Sequence, residues 1–432
     1  MGGEVSDPML STECLSTVKS RFEFTPVGEA EGNLTIGRGR ISAGADKEAV
    51  PLFIAIIENK IASGSLGVKE CDKLASLFKI VETQKRSLVL YIDSAGARVS
   101  EGLAALGAFR HMYREALAAA ASGAPMTAVC GANCFGGASM LAALATTRVY
   151  SANARFAMSG PSILAQAAGV SALDNAFTAM SMAAISGGAR ARLGGAEIMA
   201  TNAAAMHPPR YVVNAAAERH ALLGARLAQL KSPTRVGSAE KVERKDLAKL
   251  YPQGYRLEER NGVLNGEARY DDQEVALAGF IGGKALGAER SWALADALWK
   301  MISTHSRDTT APAPVRPATL HLLVDCDSHA TSLEDERIML SAYLADLASA
   351  LHALAIAGTH VETTVLGKLG GGVYVALAAP VAKVNLLYGT EIQLLPGRAI
   401  ASILGDAALQ KHEFNEYQQA RVADQELKLG IV

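Results

Sequence analysis

Two glycine pairs, Gly136-Gly137 and Gly371-Gly372, each stand between an apolar strand-like run and the start of a helix. Glycine at such a turn lets the main chain approach a ligand closely, and the first turn of a helix leaves N–H groups without intrahelical partners. Donors of this kind stabilise an oxygen that becomes negative during a reaction, and losing one typically costs about 2.7–4 kcal/mol. Tight strand–helix packing alone would also explain a single pair; matched pairs in corresponding places favour function. A second candidate is the loop Asp93-Ser94-Ala95-Gly96-Ala97-Arg98-Val99-Ser100-Glu101-Gly102. Its small residues leave room for a ligand beside a strand end, where Arg98 can meet a phosphate or carboxylate. The alternative is a helix start with Arg98 paired to Glu101.

Side chains offer no comparable constellation. There is no G-x-S-x-G, P-loop, G-x-G-x-x-G or H-E-x-x-H pattern. Cys130 and Cys134 have no second pair to complete a zinc site, and nine histidines lie scattered without ligand spacing, so no metal is expected. The chemistry is therefore expected from main-chain donors.

The elements that position these donors occur twice. In the first half, Pro51–Ile57 reads as a buried strand, Ser65–Gly67 as a turn and Val68–Val81 as a helix. Strand Leu88–Asp93, an alanine-rich helix and strand Met126–Cys130 follow. The glycine turn then opens a helix, with short strands Thr147–Tyr150 and Arg155–Met158 before Gly160-Pro161. In the second half, strand Glu274–Ile281, a turn at Ala285–Gly287, helix Ala288–Ile302 and strand Leu320–Asp325 repeat the order. A helix through Ser341–Ala357, strand Val361–Leu366, the second glycine turn and strands Ala382–Asn385 and Glu391–Leu394 complete it, before Pro396-Gly397. The offset is 232 residues between Asp93 and Asp325, and 235 between Gly136 and Gly371. A repeat of this length is a duplicated domain rather than a solenoid unit. The polar stretch 231–261 reads as the connection, with helical pieces, and Thr309–Pro317 as an extended surface loop. Strands that are apolar throughout indicate parallel strands covered by helices, either doubly wound or as stacked ββα units.

Composition narrows the class. Half of the 432 residues are hydrophobic and a fifth charged; Lys plus Arg number 42 against 43 Asp plus Glu, a net charge of -1. That balance argues against a nucleic-acid binder. Five unframed cysteines suggest reduced thiols, and the N-terminus has no signal-peptide pattern, so a cytoplasmic protein is expected. Ala116–Thr147 carries no charge, but Pro125, Asn133, the glycine pair and the many alanines make it helix, strand and helix of a soluble domain, with no membrane role.

The segments DSAGARVSEG and GAPMTAVCGANCFGGASMLAALATTRVYSANARFAMSGP resemble the carboxyltransferase β side of the acyl-CoA carboxylase family, in the crotonase (ClpP-like) superfamily. GKLGGGVYVALAAPVAKVNLLYGTEIQLLPGRAIASIL is similar to the α side. This resemblance covers about Gly32–Leu404; within it, Ile185–Ala196 and Asn261–Glu267 look closer to malonate decarboxylase β and γ subunits, which makes the chain resemble a β–γ fusion. The resemblance implies an α/β fold of two tandem crotonase domains of stacked ββα units: a β-type domain at 1–230, a linker at 231–261 and a γ-type domain at 262–432.

The implied reaction is decarboxylation of malonyl-S-acyl carrier protein to acetyl-S-acyl carrier protein and carbon dioxide, through an enolate held in an oxyanion hole. The alternatives are a biotin-dependent acyl-CoA carboxyltransferase and a non-catalytic scaffold. Gly136 and Gly137 would form the thioester's oxyanion hole, and Gly371 and Gly372 would face the same cleft. Ser94, Ala95, Gly96, Ala97, Arg98, Phe135, Gly160 and Pro161 would line the pantetheine and phosphate path. No tightly bound cofactor is implied; a CoA-like prosthetic group arrives on the acyl carrier protein. Further partners would be an acyltransferase (α) subunit and a second copy of the chain, as a homodimer or higher oligomer. The stretch after Gly160-Pro161, Ser162–Ala168, lacks the acidic residues common in the family, so no catalytic carboxylate is expected there. Asp325–Thr331 lacks the glycines of Ser94–Arg98, so no equivalent CoA site is expected in the second half. The zinc ribbon of bacterial carboxyltransferases is also missing before Gly32, where only Cys14 occurs.

Overall fold

The computed structural model describes residues 9–41, 49–171, 174–194, 196–199, 215–230, 237–303, 316–395, 400, 423–427 and 429. Residues 231–236, 309–315 and Pro396-Gly397, which figured in the expectations above, lie outside the described residues. The chain divides into two compact units, Met1–Ala215 with Thr331–Ala342, and Ala216–Ala330 with Tyr343–Val432.

The first unit is built on strands β1 (Thr25–Pro26), β2 (Leu34–Ile41), β3 (Val50–Ile57), β4 (Leu88–Ser94), β5 (Met126–Phe135), β6 (Thr147–Tyr150), β7 (Arg155–Ala157) and β8 (Ala196–Ile198). Their order is β1-β2-β3-β4-β5-β6-β8, with β7 on β5. From β3 to β6 the strands are parallel, whereas β2 runs antiparallel to β3. Continuous apolar runs such as Leu88–Ile92 are buried on both faces, which is what parallel strands under helices require. Ile54, Ile56, Val89, Tyr91, Val129 and Val149 form one core layer with Cys14 and Val18 of the helix Ser11–Arg21 and with Phe22 just after it. Strand β5 is five residues longer than its apolar run suggests. Its first half pairs with β6 and its second half, Asn133–Phe135, with β7.

The second unit contains β9 (Glu240–Lys241), β10 (Tyr255–Arg260), β11 (Val263–Tyr270), β12 (Gln273–Gly283), β13 (Thr319–Cys326), β14 (His360–Gly370), β15 (Lys383–Leu387), β16 (Glu391–Gln393) and β17 (Gln425–Leu427). The order is β17-β15-β14-β13-β12-β11-β10-β9, with β16 on β14. Strand β14 splits as β5 does, pairing first with β15 and then with β16. These splitting strands, each handing over to a helix, give both units a mixed α/β architecture built on one sheet each, as the two tandem α/β domains expected above require.

Residues 240–260, expected within a connection, instead carry β9, the helix Lys245–Leu250 and β10 of the second sheet. Asn261 and Gly262, with φ of +52° and +74°, make the two-residue turn of the β10–β11 hairpin. An antiparallel edge buries one face and wets the other, so Leu257 and Leu264 are buried while the charged residues that alternate with them made the stretch read as polar. Among the described residues, no helix is long and apolar enough to cross a membrane. The five cysteines are all free and buried.

Candidate functional site

The first glycine turn is prepared by a carboxylate. Pairing between β4 and β5 runs to Ile92–Cys130, then resumes at Ser94–Cys134. Asp93 holds the splayed stretch open: its Oδ2 accepts the Ala132 N–H at 3.2 Å and its Oδ1 the Asn133 N–H at 3.1 Å. Burial raises the Asp93 carboxyl above its ordinary range, against the pull of these N–H groups and of Arg155. Asp93 is therefore a brace within the sheet.

Beyond β5 the chain turns at Gly136, whose φ of +57° and ψ of -134° suit glycine and disfavour any side chain. The Gly136 N–H donates to the carbonyls of Ala157 and Met158 at 3.1 and 3.2 Å, so Gly136 supplies the bend and not a donor. Its carbonyl accepts from Ser139 N at 3.0 Å and Ser139 Oγ at 2.7 Å. The helix Gly137–Leu144 starts immediately after, and the N–H groups of Gly137 and Ala138 have no hydrogen-bond partner among the described residues. Gly137 also has a packing reason: a Cβ there would lie 2.5 Å from the Phe109 ring.

The loop Ser94–Arg98 lies on this turn. Gly96, with φ +92°, has room only for hydrogen, since a Cβ would meet Phe135 O at 2.9 Å and Gly137 N at 3.2 Å. The loop is tied down by Gly96 N to Ser94 Oγ (3.1 Å), Ala95 N to Ser63 O (2.9 Å), Leu66 N to Gly96 O and Arg98 N to Leu66 O (both 2.8 Å). The Ala97 N–H is left without a partner among the described residues. Phe135 lies beside Gly160, where a Cβ would sit 3.7 Å from the ring, and Pro161 begins the helix Pro161–Ala167. Ser94–Ala97, Phe135–Gly137 and Gly160-Pro161 are thus gathered at one place in the first unit, with Phe135, Gly136 and Gly137 half-buried.

Arg98 takes the pairing alternative. Its guanidinium binds the Glu70 carboxylate, Glu101 Oε1 at 2.8 Å and Ser65 O at 2.8 Å. Glu70 is itself almost fully buried and accepts the Gly67 N–H at 3.2 Å. The side chain expected to meet a phosphate therefore holds the neighbouring turn and helix start, and the main chain of the loop is what remains for a ligand.

The second unit repeats the frame and fills it differently. Asp325 Oδ1 accepts the Lys368 N–H at 3.1 Å, as Asp93 does from Asn133. Leu286 N to Ser328 O (2.8 Å) and Ala330 N to Leu286 O (2.9 Å) repeat the loop ties, placing Ser328 and His329 where Gly96 and Ala97 stand in the first unit. Gly371 has φ +54°. A Cβ on it would be 3.3 Å from His329 Nδ1 and 3.4 Å from Ser328 Oγ. Gly371 and Gly372 are buried, unlike their counterparts. Burial lowers the His329 imidazole to about 4, so it is neutral near pH 7. Among the described residues no group of three or more His, Cys, Asp or Glu could hold a metal ion.

Residues 30–202 match the carboxyl transferase domain, a span of less than half the chain that includes the whole Gly136 site. No curated protein sequence matches. Among solved structures, the chain is similar to a transcarboxylase 12S hexamer crystallised with hydrolysed methylmalonyl-coenzyme A (16% identity, 97% of this chain and 87% of that one, TM-score 0.36). It is also similar to a Pseudomonas malonate decarboxylase hetero-tetramer in complex with malonate (19% identity, 54% and 88%, TM-score 0.39). The β subunit of P. aeruginosa geranyl-CoA carboxylase aligns at 14% identity over 96% and 78%, with TM-score 0.36. At these identities and scores the three do not discriminate among activities.

Proposed function

We propose that the chain is an enzyme that decarboxylates a malonyl thioester, with malonyl-S-acyl carrier protein as substrate and acetyl-S-carrier and carbon dioxide as products. The observation that carries this reading is the pair of N–H groups at Gly137 and Ala138, which, like the Ala97 N–H on the adjoining loop, have no partner among the described residues, within the segment matched by the carboxyl transferase domain. When the bond between the carboxylate and the α-carbon breaks, its electron pair moves into the thioester carbonyl, whose oxygen becomes negative. Main-chain donors fixed beforehand stabilise that oxygen without reorganising, which is the largest contribution the reaction needs. Proton return to the α-carbon then gives the acetyl thioester. Ser94–Ala97, Phe135 and Gly160-Pro161 would line the path of the pantetheine arm.

The carboxyl transferase domain match supports a second reading, biotin-dependent carboxyl transfer to or from an acyl-CoA. There the Gly371-Gly372 turn would serve the second reactant. Either reading calls for further components: an acyl carrier protein and an acyltransferase subunit for the first, a biotin carrier for the second, and more than one copy of this chain. The deciding experiment supplies the purified protein with malonyl-S-carrier or malonyl-CoA, with and without a biotin carrier. Acetyl thioester formed without biotin supports decarboxylation, carboxybiotin supports transfer, and a folded protein that turns over neither sinks both.

A further inference from the structure

The fully buried Arg190 and Glu336 form an ion pair that has no part in the chemistry above, with Nη2 3.3 Å from Oε2. Arg190 also donates from Nε to Phe156 O at 2.8 Å and from Nη1 to the Glu336 carbonyl. Glu336 Oε1 accepts the Ser159 N–H at 2.8 Å, and the same carboxylate receives the Met158 N–H. The stretch held this way, Phe156–Ser159, is the one whose Ala157 and Met158 carbonyls receive the Gly136 N–H. A second contact reaches the turn from its other side. The Ser341 and Ser139 hydroxyls are 2.6 Å apart, and Ser139 Oγ donates to Gly136 O at 2.7 Å. A hydroxyl carries one proton, so while Ser139 donates to Gly136 O it accepts from Ser341.

Glu336 and Ser341 both come from Thr331–Ala342, a segment some two hundred positions further along the chain that is compacted with the first unit. One segment therefore reaches both the N–H side and the C=O side of Gly136. Filling the same space with apolar side chains would stabilise a core at least as well as a buried ion pair. Apolar side chains could not hold the Met158 and Ser159 N–H groups or orient Ser139. Burial pushes the Glu336 carboxyl up to about 7, against the pull of Arg190 and of those two N–H groups, while Asp335 adds to the rise.

We propose that Glu336 and Ser341 are positioning residues that hold the Gly136 turn, and with it the aim of the Gly137 and Ala138 N–H groups. The proposal rests on the reading of that turn as the reactive one. It is tested with full-length Ser341→Ala and Glu336→Gln proteins, and with Ser291→Ala as a control that removes a buried hydroxyl from the second unit. Hydrogen exchange of amides 136–144 is measured beside malonyl-CoA turnover. The expected result for Ser341→Ala is faster exchange in 136–144 and about a tenfold fall in kcat with KM within twofold, because misaimed donors weaken the transition state more than the ground state. Ser291→Ala should change neither. Unaltered exchange in both Ser341→Ala and Glu336→Gln overturns the proposal. Faster exchange in a protein whose wild type turns over no malonyl-CoA upholds the brace and removes the proposed function instead.

Discussion

At Gly136 and at Gly371 the chain turns with φ of +57° and +54°, each time where a long strand has split between two partners and a helix begins. An aspartate at the end of the preceding strand accepts amides of the long strand in both units. The two turns differ in the loop laid over them. Gly96 and Ala97 leave the first turn half-buried, whereas Ser328 and His329 stand against the second and bury it. The same backbone thus carries two different coverings: glycine and alanine in one unit, serine and histidine side chains in the other. The frame recurs because hydrogen bonds of the main chain define it, while one or two side chains decide how deeply the turn is covered.

The largest effect should come from removing the Glu336 brace at the first turn. Glu336→Ala removes the carboxylate that faces the buried Arg190 charge, and should cost about 3–5 kcal/mol by urea unfolding. A loss below about 1 kcal/mol would mean that the pair is not sealed from water. Next, Gly136→Ala forces a side chain into a backbone conformation meant for glycine and should lower malonyl thioester kcat by about a hundredfold. Gly371→Ala separates the two functional readings. Decarboxylation should persist within a few-fold, and a matching hundredfold loss there would tie the second turn to the reaction. Gly137 is a poorer probe, because a side chain there collides with Phe109 and would upset packing together with turnover.

Arg98→Gln should destabilise the first unit by about 1–2 kcal/mol, by leaving the buried Glu70 without its partner, and should leave the KM for a CoA thioester within twofold. A rise of tenfold in KM would return Arg98 to the phosphate. The smallest effect concerns the second unit alone. His220 Nδ1 lies 2.8 Å from Asp346 and its ring stacks on Trp292. Burial disfavours the imidazolium, but Asp346 and Asp296 outweigh it, and the group titrates above 6.5. Its contribution to stability is full below 6.5 and fades as pH rises through the higher folded value. The difference in Tm between wild type and His220→Gln should therefore shrink between neutral and mildly alkaline pH; a difference constant across that range would show that the charge does not contribute.

Much of the frame was legible in the residues. Apolar runs marked β3, β4, β12 and β13, and the similar offsets of 232 residues for the aspartates and 235 for the glycine pairs marked the duplication, because periodicity and glycine turns are local properties of a chain. The hairpin at Asn261-Gly262 was missed although its turn residues were in plain sight, since an edge that wets one face looks polar throughout. The gathering of Ser94–Ala97, Phe135–Gly137 and Gly160 follows from the β4–β5–β7 order and needed the sheet.

What the sequence settled by itself is the α/β repeat and the glycines that bend it; these depend on neighbours in the chain and on which residues tolerate positive φ. What only the tertiary structure decided is which amides remain unengaged. Gly136 loses its donor to Ala157 and Met158, Arg98 turns inward to Glu70 and Glu101, and Glu336 arrives from a distant segment to meet Arg190. Hydrogen bonding is settled by whichever partner lies within about 3 Å, and such proximity across distant positions leaves no local pattern in a sequence.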